Sequence, residues 1–154
     1  MSSVIFSKTI IKRFYQLCVL SLALASCASS GKALKEVSIL SQNSHQKTIV
    51  SAEIAADDAS RMQGLMFRKV MGKKEGMIFL FPSDSRMPFW MENTYLPLDI
   101  VFISADHRIV DIAENTKPLS EDLIQSKQSY RYVLEVNAGF TNEHQIKVGD
   151  KVEF

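Results

Sequence analysis

Between residues 87 and 99 the chain reads Met-Pro-Phe-Trp-Met-Glu-Asn-Thr-Tyr-Leu-Pro-Leu-Asp, and no helix can run through it. Pro97 lacks the amide hydrogen a helix interior needs, and its ring collides with the preceding turn. Phe89 to Met91 suit a pleated, half-buried surface, while Asn93 and Thr94 can turn the backbone through side-chain hydrogen bonds. The expectation is a strand, a tight corner and the start of a second strand. The same segment holds the only tryptophan, Trp90, beside two methionines, an amide, a hydroxyl and the carboxylate of Asp99.

On either side the pattern is mostly strand. Residues 37–40 and 47–54 flank the turn-rich Gln42-Asn43-Ser44-His45 as an opening hairpin. Asp57 and Asp58 offer an N-cap for a short helix over residues 59–66, which sets Arg61, Leu65 and Arg68 near one face and Met62 and Met66 on another. Gly64 weakens that helix and suggests close backbone approach. Residues 76–81 are an apolar run ended by Pro82, as in a buried strand. Residues 100–103 and 108–112 read as a second hairpin, and residues 116–129 as the longest loop. Residues 130–137 alternate, turning Tyr132, Leu134 and Val136 one way and Arg131, Val133, Glu135 and Asn137 the other. A helical turn within 138–144 and a strand over 151–154 close the chain. About eight short strands with turn signals every 8–12 residues predict a mainly β fold (α+β minor), a single compact β-sandwich or barrel-like domain with one or two short helices.

The N-terminus has a different character. A basic stretch ending in Lys12-Arg13 precedes the apolar run of residues 17–25, which is too short to span a bilayer and has the length of a secretory signal. It ends in Leu24-Ala25-Ser26-Cys27, which looks like a bacterial lipobox. The expected division is a lipoprotein signal peptide over 1–26, a lipidated Cys27 with a short tether over 27–36, and a domain over 37–154. Two or more acyl chains, at about 0.8 kcal/mol per buried methylene, hold a soluble domain on a membrane where one would be marginal. Asp, the common inner-membrane retention signal, is not the residue after Cys27; Ala28 is, which favours the periplasmic face of an outer membrane. The competing account is an ordinary signal with an incidental cysteine. Cys18 would leave with the signal and Cys27 would carry lipid, so the mature domain is expected to have no disulfide, thiolate metal site or cysteine nucleophile. The formal charge of +1 also depends on that segment. Lys8, Lys12 and Arg13 removed from 18 basic side chains leave 15 against 17 acidic ones. No basic cluster recurs with interleaved aromatics, so nucleic acid is not an expected partner.

Four blocks together resemble the DUF192 (UPF0127) family: Arg61-x-x-Gly64-Leu65-Met66-x-Arg68, then Gly76-Met77-Ile78-Phe79, the 87–99 segment, and Leu134-Glu135-Val136-Asn137-Ala138-Gly139. The resemblance runs from about Val37 to Phe154. It implies one β-rich, closed unit, and that family has no established activity.

Three site readings follow from the residues. In the first, Arg61, Trp90, Asn93, Thr94, Asp99, Glu135 and Asn137 form a polar pocket with one aromatic wall, suited to a small polar ligand or an envelope protein. There Asp99 orients the Asn93-Thr94 corner, and Arg61 meets a carboxylate or an anionic ligand. The competing account makes the same groups a buried structural network. In the second, Asp99 and Glu135 are the acid and base of an envelope hydrolase, which requires their oxygens to flank one cleft. In the third, the thioethers of Met62, Met66, Met87 and Met91 hold Cu(I), although methionine also fills irregular cores. His45, His107 and His144 stand singly in polar stretches and read as exposed. The expectation is a non-catalytic binding or accessory module without a cofactor, attached to a membrane through Cys27.

Overall fold

The chain divides into two units, Met1–Gly31 and Lys32–Phe154. In a computed structural model, residues 33–42 and 46–154 are described, all within the second unit. The expected signal peptide, Cys27, most of the tether and the 43–45 turn with His45 lie outside the described residues.

Seven strands make up the frame: β1 (Leu34–Leu40), β2 (Lys47–Ala55), β3 (Glu75–Ser85), β4 (Leu98–Ile103), β5 (Ile109–Ala113), β6 (Tyr130–Asn137) and β7 (Lys151–Glu153). They form one sheet in the order β5-β4-β6-β3-β2-β1-β7. Every pairing is antiparallel except β2 with β3, which the helical crossover between them makes parallel. The sheet curls until its two edge strands meet. Ile109 N donates to Asp150 O at 3.0 Å, and Gly149 N donates to Ile109 O at 2.8 Å. Val152 N donates to His107 O at 2.9 Å, and Arg108 bridges Lys151. Closure of this kind leaves little unpaired edge.

The curl separates two apolar layers by the period-2 rule. Val101, Ile103, Leu134, Val136 and Ile78 face the inside of the curl with Val37, Val50 and Val152. Met77, Phe79, Leu98, Ile100, Phe102 and Val133 face outward, where Leu65, just past α1 (Asp58–Gln63), and Phe89, Met91 and Leu96 of the 87–97 segment pack on them. Tyr130, Phe79 and Phe102 are fully buried, each contributing about 1.5–3 kcal/mol of transfer free energy. The second helix, α2 (Phe140–Glu143), puts Phe140 into the inner layer.

Several local expectations change. β1 begins at Leu34, three residues inside the expected tether, because those residues pair with β2 as far as Glu53. β3 does not stop at Pro82. Its pairing with β6 shifts between Leu80 and Ser85, and a proline fits that bulge because no ladder hydrogen bond is required of it. Residues 89–91 are not a sheet strand either. Phe89 makes a single bridge to Ile124, with hydrogen bonds of 2.9 and 2.8 Å, and Met91 N donates to Ser120 O. The long loop of residues 116–129 therefore covers the central segment and takes the hydrogen bonds a neighbouring strand would have taken.

Candidate functional site

Helix α1 is short but strongly started. Ser60 N donates to Asp57 Oδ1 at 2.8 Å and Asp57 N donates to Ser60 Oγ at 3.1 Å, a reciprocal cap. It ends at Gly64, whose φ of +47° lies in the left-handed region that glycine tolerates best. Arg61 fastens α1 to the sheet by donating to the carbonyls of Ala56 and Leu80, and its guanidinium lies 5.4 Å from the centre of the Phe81 ring. A third donation goes to Asp58.

Between α1 and residues 82–90 lies a cavity of about 760 Å³. Phe79, Phe81, Phe89 and Trp90 line it, and Met62 and Met87 stand exposed at its rim. The rings interlock, with Phe79 on Phe89 at 5.5 Å and Phe89 on Phe102 at 5.8 Å, both edge to face. Tyr130 holds this wall down by donating from its hydroxyl to Met87 O at 2.6 Å. Trp90 is only half-buried. Among the described residues no ring pairs with its indole and no group accepts from its N–H.

Glu135 reaches this cavity from β6. It is 6% exposed, and among the described residues nothing donates a hydrogen bond to its carboxyl. Burial pushes that carboxyl up to about 8, against the opposing pull of the Arg68 guanidinium. Arg68 is itself held in a two-pronged ion pair with Glu53 at 2.5 Å, which raises the arginine above its ordinary value. Glu135 thus keeps a positive neighbour that is already committed elsewhere. Gly76 lets β3 lie tightly against this part of β6: a Cβ there would come within 2.4 Å of Glu135 O.

Of the residues expected to converge, Arg61, Trp90, Thr94 and Glu135 line one cavity, and Asn93, Asp99 and Asn137 do not. Asp99 is opposite Val136 while Glu135 is opposite Ile100, one step out of register. One step turns a side chain to the other face. Asp99 consequently faces away from Glu135, and the geometry required of a paired acid and base is missing. Nor does Asp99 orient the Asn93-Thr94 corner. It accepts instead from Asn115 N, Gly139 N, Thr141 N and Thr141 Oγ1 at 2.7–3.2 Å. Asn93, with φ of +53°, holds the corner by accepting from Phe67 N at 2.8 Å. Thr94 adds a donation to Glu92 O, and Asn137 donates to Gly72 O at 2.9 Å. Arg61 meets Asp58 and two carbonyls rather than Glu135. Of the four methionines in the copper reading, Met62, Met66 and Met87 line the cavity, whereas Met91 is buried and accepts from Thr116 Oγ1 through its sulfur at 3.2 Å. His107 and His144 are half-buried, in contact with Tyr132 and Phe154 and with Phe140 respectively.

The aromatic walls Phe79, Phe81 and Phe89 were not foreseen as site residues, nor was the Arg68–Glu53 pair. Alternation along residues 77–81 carried a usable signal, since Met77, Phe79 and Phe81 share a face. The distance in sequence between Glu53 and Arg68 gave none.

No curated protein matches the chain. Three chains of solved structures do. One is described as a putative transcription regulator from Sinorhizobium meliloti 1021, with 39% identity and a TM-score of 0.76 over 79% of this chain and 94% of that one. Another is a protein of unknown function from Novosphingobium aromaticivorans, with 37% identity and a TM-score of 0.77 over 82% and 89%. Residues 39–154 match DUF192, described as an uncharacterized ACR, and the chain belongs to that family.

Proposed function

We propose that this protein is a lipid-anchored, non-catalytic binding module of the cell envelope, whose cleft takes a ligand with an apolar body and one polar group. The observation that carries the reading is the aromatic cavity itself. At about 760 Å³ it lies within the range of small-molecule sites, and the carboxyl of Glu135, with no hydrogen-bond donor among the described residues, opens into it. An indole with a free N–H on the wall supplies an apolar face and one donor. Asp99, the acid expected to pair with Glu135, faces the other side of the sheet, which favours binding over paired acid–base chemistry.

The probe is a six-carbon series: hexanol, hexanoate and hexylammonium, added to the mature protein. A saturable change in Trp90 fluorescence, together with amide shifts confined to residues 58–66, 79–90 and 135, supports the reading. Absence of saturation with all three overturns it.

The anchor rests on the Leu-Ala-Ser-Cys motif. β1 opens at Leu34, within about 25 Å of Cys27 for an extended chain. Lys69, Lys73 and Lys74 are exposed on the loop that enters β3 beside β2, and an anionic lipid surface would attract them. Metabolic labelling with palmitate tests the anchor: label in the native protein and none in Cys27→Ser is the expected result, and an unlabelled native protein overturns it.

A further inference from the structure

We propose that the ligand's polar group is a protonated amine, and that Glu135 is its counter-ion inside the cavity. This rests on the binding reading above and specifies the ligand class. Several charged groups line the cavity. Asp58 is matched by Arg61, and Asp84 is matched by Arg131 at 2.9 Å, while Arg86 lies among the lining groups near the surface. Behind Glu135, Arg68 is neutralised by Glu53. That leaves Glu135, 6% exposed, as a carboxyl that opens into the cavity and accepts no hydrogen bond among the described residues.

A largely buried acid that faces a cavity without a donor has two stable conditions. It keeps its proton, or it loses the proton to meet a cation that donates hydrogen bonds. The cavity offers both. Empty, the site favours the neutral acid, because burial penalises the charge. Filled by an ammonium, it exchanges that proton for an ion pair, and the proton leaves to solvent. The walls suit the same ligand. Aromatic faces attract a cation that sits over them, and Trp90 has no competing ring partner among the described residues. Phe81 already carries the Arg61 guanidinium, so Trp90 is the ring left for the ligand. A small organic ammonium with an apolar chain satisfies the carboxyl, the ring and the thioethers together. Hexanoate would set two acids against each other, and hexanol would satisfy the apolar wall without the charge.

Binding of that kind releases a proton at pH 7, and this readout is insensitive to a merely structural role for Glu135. Calorimetry of the mature protein with hexylammonium, in buffers of different ionisation enthalpy, is expected to show release approaching one proton per site at pH 7 and little at pH 9.5. Affinity should rise with pH across that interval and exceed that for hexanol by at least tenfold. E135Q is expected to remove the advantage of hexylammonium over hexanol and to abolish the proton release. Hexanol binding as tightly as hexylammonium, or no proton release from the native protein, overturns the ammonium assignment and leaves the coarser binding reading standing. If no member of the series binds, both fall. The native protein's proton release decides the matter even if E135Q proves unstable.

Discussion

Asp99 and Glu135 are both buried acids on neighbouring strands, one register step apart, yet their surroundings differ completely. Asp99 faces the inner side of the sheet and accepts four hydrogen bonds from Asn115, Gly139 and Thr141. Glu135 faces the cavity and accepts none among the described residues. The contrast separates two uses of a buried charge. One fastens loops to a sheet by satisfying amides that would otherwise be orphaned. The other opens into a cavity with no donor among the described residues, and burial favours its neutral form.

The largest test of that contrast removes the Asp99 carboxylate. In Asp99→Ala three backbone amides and one hydroxyl lose their acceptor, at about 1–3 kcal/mol for each group left buried and unpaired. A loss of about 4 kcal/mol or more in urea unfolding is expected. Glu135→Gln should cost little at neutral pH, since no donor loses a partner. Equal losses at the two sites would erase the distinction.

Packing offers the next test. Gly76→Ala places a methyl against Glu135 O and the side chains of Val50 and Val136 in the inner layer. Overpacking there is expected to cost about 3 kcal/mol. Met87→Leu, at the exposed rim of the cavity, should stay within about 0.5 kcal/mol. Thermal unfolding of the two variants checks whether the inner layer is the rigid one.

Smaller in free energy, and more diagnostic, is the pH dependence of Glu135. Its folded value is raised, so between the ordinary carboxyl value and about 8 the folded protein holds a proton that the unfolded chain has lost. The stability contribution is full below that interval and is lost as pH rises through it, with a slope of at most about 1.4 kcal/mol per pH unit. Urea unfolding from pH 5 to 9 should show the native protein weakening relative to Glu135→Gln. A difference between the two that does not vary with pH would show that Glu135 is ionised and solvated throughout.

Much of this arrangement was legible in the residues. The β6 alternation put Glu135 on the face opposite Leu134 and Val136, and Asp57 marked the start of α1 correctly. The single β-rich domain followed from short strands separated by turns. Register was not legible. Whether Asp99 and Glu135 share a face depends on which residues pair across β4 and β6, and one step reverses the answer. The fate of residues 89–91 was hidden for a similar reason. Strand-like side chains describe a surface that fits a sheet, but the 116–129 loop supplied the partner instead. Arg61 looked like a ligand group because its charge was visible and the carbonyls of Ala56 and Leu80 were not.

The smallest effect concerns the lid of the cavity rather than its floor. Helix α1 spans only Asp58–Gln63 and has no buried residue of its own, so little apolar area holds it down. Its position depends on the Asp57–Ser60 cap at one end and on Arg61 in the middle. The Ser60 amide also holds the Asp57 carboxyl below its ordinary range, the sign of a cap that favours the charged acid. Asp57→Ala should therefore loosen α1 alone. Hydrogen exchange at residues 58–66 is expected to quicken roughly fivefold, the usual consequence of a lost cap. Exchange in β4 and β6 should stay unchanged, because their amides open only with the whole sheet. If the two sets of amides quicken together, the wall and the sheet unfold as one unit. The cavity would then be no more adaptable than the inner layer behind it.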